Sequence, residues 1–216
     1  LLCIGIAAFQ IPKIVVQFKE ENTYEITSAL PVSKGTLILK ALDVDDEDIF
    51  NEANLKLVGS PDSAVVLVQK NYSRGKTKAE ALENAKKLVF NYSVQDSVVT
   101  FDEGYDLSQL ETFRDQRLNL TLKIPYDRPF IMKRSLLEIL RSTLYVNGYR
   151  SSDVRHEAVW VFNEAGLICL TCPNRGNNDS DWDDWEEEKA KTDSLTRAIL
   201  DSVSRAKFKD SYFMKD

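Results

Sequence analysis

The sequence predicts a mainly β domain of sandwich, barrel or solenoid-like build, with one inserted helix and a second helix near the C-terminal end. Three observations carry this. Short runs rich in β-branched and aromatic residues recur from Thr23 to Thr171, divided by Gly, Pro, Asn, Asp or Ser clusters. One of them, LNLTLKIP (residues 118–125), alternates strictly, with Leu118, Leu120, Leu122 and Ile124 on one face and Asn119, Thr121 and Lys123 on the other. That is the pattern of a strand with one buried side and one wet side. Only two stretches show helical spacing instead.

The chain opens on LLCIGIAAF, residues 1–9, which carries no charge. Nine apolar residues are too few to cross a bilayer, which takes about 20, and the stretch lacks the Met and basic region of a secretory signal. Two readings remain, a buried strand or the end of a transmembrane helix. We expect the second, with Leu1, Leu2, Ile4, Ile6 and Phe9 as anchor residues and Pro12, Lys13 and Lys19 at or just outside the interface.

The expected strands are TLILKAL (36–42), LKLVG (55–59), AVVLVQK (64–70), VVTF (98–101), LNLTLKIP (118–125), FIMKR (130–134), LYVNGY (144–149), AVWVF (158–162) and LICLT (167–171). In FRDQRLNLTLKIP, Phe113 and Leu118 are expected to pack inward. Arg114, Asp115 and Arg117 would form a salt-bridged rim, and Pro125 would stop the ladder. The inserted helix lies near residues 77–89. Thr77 and Glu80 have the spacing of a capping box. Ala81, Leu82, Ala85 and Leu88 or Val89 follow as an apolar stripe, and Lys86 and Lys87 suit the negative end of the helix dipole.

After Cys172 the composition changes. Residues 173–188 read as an acidic linker and residues 189–208 as an amphipathic helix, with Leu195, Ile199 and Val203 recurring at helical spacing. The expected organisation is thus an anchor end at 1–18, a β-rich domain at 19–172, the linker and the terminal helix. Chain-wide, 43% of residues are hydrophobic and 29% charged, which is ordinary for a globular protein. The net charge of −6 comes from one place: DSDWDDWEEE, Asp179 to Glu188, holds seven acids, and without it the balance is +1. Such a chain has no basic face for non-specific nucleic-acid binding.

Chemistry-bearing motifs are few. CLTC, Cys169 to Cys172, has the spacing of a redox pair or half a zinc site, but Cys3 and His156 are the only further donors of that kind. Turn residues, Pro173 to Gly176, follow it where a thioredoxin-like motif would open a helix. A strand end with Cys169 packed as a small apolar residue and Cys172 at the rim, or a disulfide closing the turn, both fit. HEAVW, from His156, shares only its first two letters with the zinc-protease HExxH, so His156 is expected at the surface or the rim. GKT at Gly75 lacks the upstream glycine of a P-loop. The acid run DVDDEDIF (43–50) lacks the glycine and spacing of a calcium loop. No catalytic residue, metal or cofactor is therefore expected. Trp182 and Trp185, set among the acids, either bind a partner or cap the domain's own core.

An ordered set of motifs adds a resemblance. NYSRGKTKAEALENAKKLVFNYSV, then LSQLETFRDQRLNLTLKIPYDRPF, then AVWVFNEAGLICLTCP resembles the C-terminal region of membrane proteins of the phage-shock-protein C family, over roughly residues 1–173. The resemblance implies a toast-rack fold of short stacked strands. It also implies a protein anchored in the cytoplasmic membrane by upstream transmembrane helices, with a regulatory role in envelope stress exercised through an envelope protein partner rather than by catalysis. An alternative is a ligand-binding or redox β domain of the envelope, using Cys169 and Cys172 or a groove on the β-body. The side of the membrane is weakly marked, because two lysines are offset by Glu20 and Glu21; we expect the periplasmic side.

Overall fold

The computed structural model describes residues 18–42, 52–107, 113–154 and 158–172. The chain divides into two compact units, Leu1–Ile168 and Cys169–Asp216. The second is described only over residues 169–172. The strands are β1 (Glu20–Ala29), β2 (Leu37–Ala41), β3 (Asn54–Ser60), β4 (Val66–Gly75), β5 (Tyr92–Gln95), β6 (Val98–Phe101), β7 (Arg117–Pro125), β8 (Phe130–Met132), β9 (Val159–Asn163) and β10 (Gly166–Cys169). Helix α1 (Lys78–Lys86) follows β4, and a single helical turn, α2 (Thr143–Val146), lies between β8 and β9.

The strands form two mixed sheets. The first has the order β1-β4-β7-β3 and the second β10-β9-β8-β2-β6-β5. In the first, β4 runs antiparallel to both β1 and β7, while β3 and β7 are parallel. In the second, β2 is parallel to both β6 and β8, and β5 and β9 are antiparallel additions. The chain passes back and forth between the sheets, so parallel neighbours are laid down by successive crossings rather than by hairpins. The shortest crossing is the turn after Pro125. There Asp127 takes a positive φ of 57°, Tyr126 N–H donates to Ser60 O and Asp127 N–H donates to Phe162 O. One turn thereby ties both sheets.

The core follows the alternation seen in the sequence. Leu55, Leu57, Leu67, Leu118, Leu120, Leu122 and Ile124 are buried from the first sheet, and Leu37, Leu39, Val99, Phe101, Phe130, Met132, Trp160 and Phe162 from the second. Each such side chain contributes about 1.5–3 kcal/mol relative to exposure. Phe130 stacks on Phe162 at 5.5 Å, and Tyr149 meets Trp160 edge-on at 4.8 Å. Gly59 is required here: a Cβ would lie 2.6 Å from the Tyr126 ring and 2.7 Å from Phe162 Cβ.

Helix α1 packs on β1 and β4. Thr77 caps it through Glu80 N–H, as its spacing predicts, but the Glu80 carboxylate accepts from Lys76 N–H, one residue before the cap. Ala81 and Ala85 are its buried residues, and Leu88 is buried just beyond its end. The small side chains let the helix lie close. Gly75 does the same from the strand, since a Cβ there would sit 2.7 Å from Ala81 N.

Two expectations need correction. LYVNGY is not a strand. Residues 143–146 form the turn α2, with Tyr145 85% and Val146 70% exposed. The segment before it and its first residue serve the open edge of β3: Leu55 N–H donates to Ile139 O, Arg141 N–H to Leu55 O, and Leu57 N–H to Thr143 Oγ1. Satisfying buried backbone outweighs β propensity here. Phe113 does not pack inward; it is 61% exposed while Leu118 is fully buried. The turn at Asp115, with φ 52°, separates Phe113 from the alternation of β7.

Candidate functional site

Two places on the described surface carry organised polar chemistry. The first is the end of the first sheet where β1 begins. Glu20 pairs with Gly75 and Glu21 with Arg74 across β1 and β4. Arg74 N–H donates to Arg114 O at 2.8 Å, which brings the segment before β7 to the same end. Arg74 Nε lies 3.0 Å from Asp115 Oδ2 and 3.5 Å from Glu21 Oε2, and Arg117 Nη2 lies 2.6 Å from Glu21 Oε2. The expected rim is present, though Arg114 stands outside it: its guanidinium lies over the Phe18 ring at 5.8 Å. Each of these ion pairs is well exposed, so each contributes little alone.

Behind the rim, Gln116 is buried. Its side-chain oxygen accepts from Arg114 N–H, and its backbone carbonyl accepts from Tyr105 Oη at 2.8 Å. Burial raises the Tyr105 pKa above its usual 10.0, the Asp115 carboxylate adds to the rise and Arg117 opposes it. Further along, the buried face of β4 is polar. Asn71 is fully buried and donates to both Ala85 O and Leu88 O at the end of α1, while Gln69 donates to Asn71 Oδ1. Asn84 donates to Arg74 O and Asn22 to Lys78 O. These amides anchor the helix and hold no group open for a ligand. Sequence reading missed them because it ended the strand at Lys70. The alternation of Leu67, Gln69, Asn71 and Ser73 is the signal that could have extended it.

The second place is the turn after β10, where Cys169 and Cys172 form a disulfide with Cα atoms 5.6 Å apart. The bond closes a short turn, with Leu170 and Thr171 between the two cysteines. Trp182, Trp185, His156 and the anchor residues Leu1, Leu2, Ile4, Ile6 and Phe9 lie outside the described residues, as do the acid run at 43–50 and the expected terminal helix. Among the described residues, no group of three or more His, Cys, Asp or Glu side chains could hold a metal ion, and no helix is long and apolar enough to cross a membrane.

A family model described as the ToastRack found in some PspC proteins matches residues 42–175, more than half of the chain. This chain belongs to the ToastRack family. The two mixed sheets described above are its mainly β architecture. Membership associates the chain with membrane stress-response proteins and with a non-catalytic type of domain. The ToastRack match begins after β2, yet β1 pairs with β4 along its whole length and β2 lies between β6 and β8. The folded unit therefore includes two strands upstream of the matched range. Among solved structures, a protein from Clostridium sporogenes described as a "putative cell adhesion protein" is 9% identical, with 52% of this chain and 46% of that chain covered at a TM-score of 0.27. The ToastRack chain thus spans under half of that structure's length, and so remote a likeness carries no argument. No curated protein matches the chain.

Proposed function

We propose that this ToastRack domain is a non-catalytic, membrane-tethered interaction domain that takes part in envelope-stress regulation through protein contact. Family membership is the observation that carries the reading. The apolar, uncharged stretch Leu1 to Phe9 supports a tether to the cytoplasmic membrane. The disulfide supports placing the domain on the oxidising, periplasmic side, because such bonds persist there and are rare in reducing compartments. Trp182 and Trp185 are the partner-binding residues of this reading, aromatic anchors in a segment kept soluble by its acids. The test is cross-linking and co-purification from membranes under envelope stress. A partner captured by the parent protein and lost with Trp182→Ala/Trp185→Ala is the expected result; equal recovery removes the tail from the proposal.

A second reading is favoured by one observation, the bond between Cys169 and Cys172. In it the pair cycles between disulfide and dithiol and reports the redox state of the envelope. Mass measurement after thiol alkylation, with and without prior equilibration in a glutathione buffer, decides it. A pair that stays bonded, or stays free, across the physiological range would sink this version.

A further inference from the structure

We propose that the end of the first sheet carrying Phe18, Phe113 and Arg114 is the face this domain lays on the bilayer, with Phe113 entering the interface and Lys19, Lys76 and Arg114 meeting anionic phospholipid headgroups. The inference rests on the membrane-tether reading and adds an orientation to it.

Four observations converge on that end. Phe18 is the first described residue and β1 starts at Glu20, so the apolar N-terminal stretch joins the domain there. Lys19 and Lys76 lie one residue beyond the Glu20–Gly75 pair on β1 and β4, and both are exposed. Phe113 reaches the same end through Arg114, whose backbone carbonyl accepts from Arg74 N–H and whose guanidinium covers Phe18. Phe113 is 61% exposed beside a strand whose other apolar side chains are buried. An aromatic ring held in water next to cations is the arrangement that suits the headgroup region of a bilayer.

The local charge has the matching sign. Arg74 and Arg117 are engaged by Glu21 and Asp115. Among the described residues, Lys19, Lys76, Lys78 and Arg114 form no salt bridge. Among the described residues, two further acids lie at this end, Glu20 and Glu80, and Glu80 already accepts from Lys76 N–H. The unpaired cations therefore outnumber the acids, and basic residues held at an anionic surface are attracted within a Debye length of it. The turn between β3 and β4, at the far end of β4, differs: Pro61 to Ala64 holds one acid, Asp62, and no base or aromatic residue.

The experiment uses the full chain carrying Cys3→Ser, its native disulfide left oxidised, and one added thiol: Phe113→Cys at the proposed face or Ser63→Cys at the far turn. Each is labelled with an environment-sensitive fluorophore and reconstituted with phosphatidylglycerol/phosphatidylcholine vesicles containing nitroxide lipids, and flotation is read in parallel. The expected result is flotation of both, with quenching and a blue shift of the probe at position 113 and neither at position 63. Flotation without quenching at 113 overturns the orientation and leaves the tether standing. Absence of flotation overturns the tether reading, and the orientation with it. Arg114→Glu should reduce the quenching in phosphatidylglycerol-containing vesicles, with the thermal melt read in parallel as the control for folding. Quenching that is the same in that variant and in pure phosphatidylcholine overturns the assignment of the cations.

Discussion

The buried face of the first sheet has two halves, joined along β4 and built by opposite rules. Where the second sheet covers it, the face is apolar: Leu55 and Leu57 on β3 pair with Leu120 and Leu122 on β7, and Leu67 lies beside Leu122. Where α1 covers it, the face turns polar: Asn71, Ser73 and Asn22 lie beneath the helix with the ring of Tyr24. The difference lies in what each cover brings. A sheet arrives with its backbone hydrogen bonds already made. A short helix arrives with unsatisfied carbonyls at its last turn, which must find donors once water is excluded. Asn71 supplies them to Ala85 and Leu88. Polar residues inside this sheet are thus parts of a joint.

The largest effect should come from the apolar half. Leu120→Ala removes a fully buried side chain between β3 and β4 and should cost about 2–5 kcal/mol in equilibrium urea unfolding. All of the β-body should lose stability together, because β7 sits between β3 and β4. Asn71→Leu should cost less, about 1–3 kcal/mol, by taking a side-chain donor from Ala85 O and Leu88 O and the acceptor from the Gln69 amide. The two substitutions also differ in kind. In hydrogen exchange, Asn71→Leu should first deprotect α1 and the segment after it, leaving β7 and β3 protected to the global limit. Uniform loss of protection in both variants would erase the distinction between the halves.

These halves were unequally legible in the sequence. The apolar one was readable because strict alternation marks a strand between wet and dry surroundings, and Leu118 to Ile124 are all buried as that pattern requires. The polar one was not, because the role of Asn71 depends on carbonyls 14 and 17 residues away in the chain. β1 went unread for a related reason. As an edge strand partly covered by a helix, EENTYEITSA leaves most of both faces in partial or full contact with water and shows no clean alternation. LYVNGY misled in the opposite direction, its β-forming residues being set in a turn that serves the edge of β3. Of the candidate site, the ionic rim was legible from FRDQR. The outward turn of Phe113 was not, since an apolar ring is read as core unless something outside the domain receives it.

A smaller effect tests how firmly α1 is seated. Thr77→Ala removes the acceptor for Glu80 N–H and should cost about 1 kcal/mol. It acts at the opposite end of the helix from Asn71, and the two sites share no partner. Their effects should therefore add in the double variant. A double variant clearly less destabilised than the sum would show that α1 is already undocked when Asn71 is lost.

The smallest effect belongs to Tyr105, behind the rim. Its pKa is raised in the fold, chiefly by burial. The sign follows from linkage: a group whose folded pKa lies above its unfolded value contributes stability that is fully present below the unfolded value, near 10, and is lost as pH rises through the folded one. Tyr105 is only half-buried, so solvent screening keeps the contribution small. Spectrophotometric titration of the folded domain should show a tyrosine step above the usual tyrosine value, and Tyr105→Phe should remove that step. The same substitution removes the hydrogen bond to Gln116 O without touching Asn71 or α1. Any loosening should therefore stay at the rim, where Arg114 and Phe113 enter, and the exchange rates of α1 should not change. If α1 also loosened, the rim and the helix joint would be one cooperative unit, and the division of the sheet into two halves would end at Ser73.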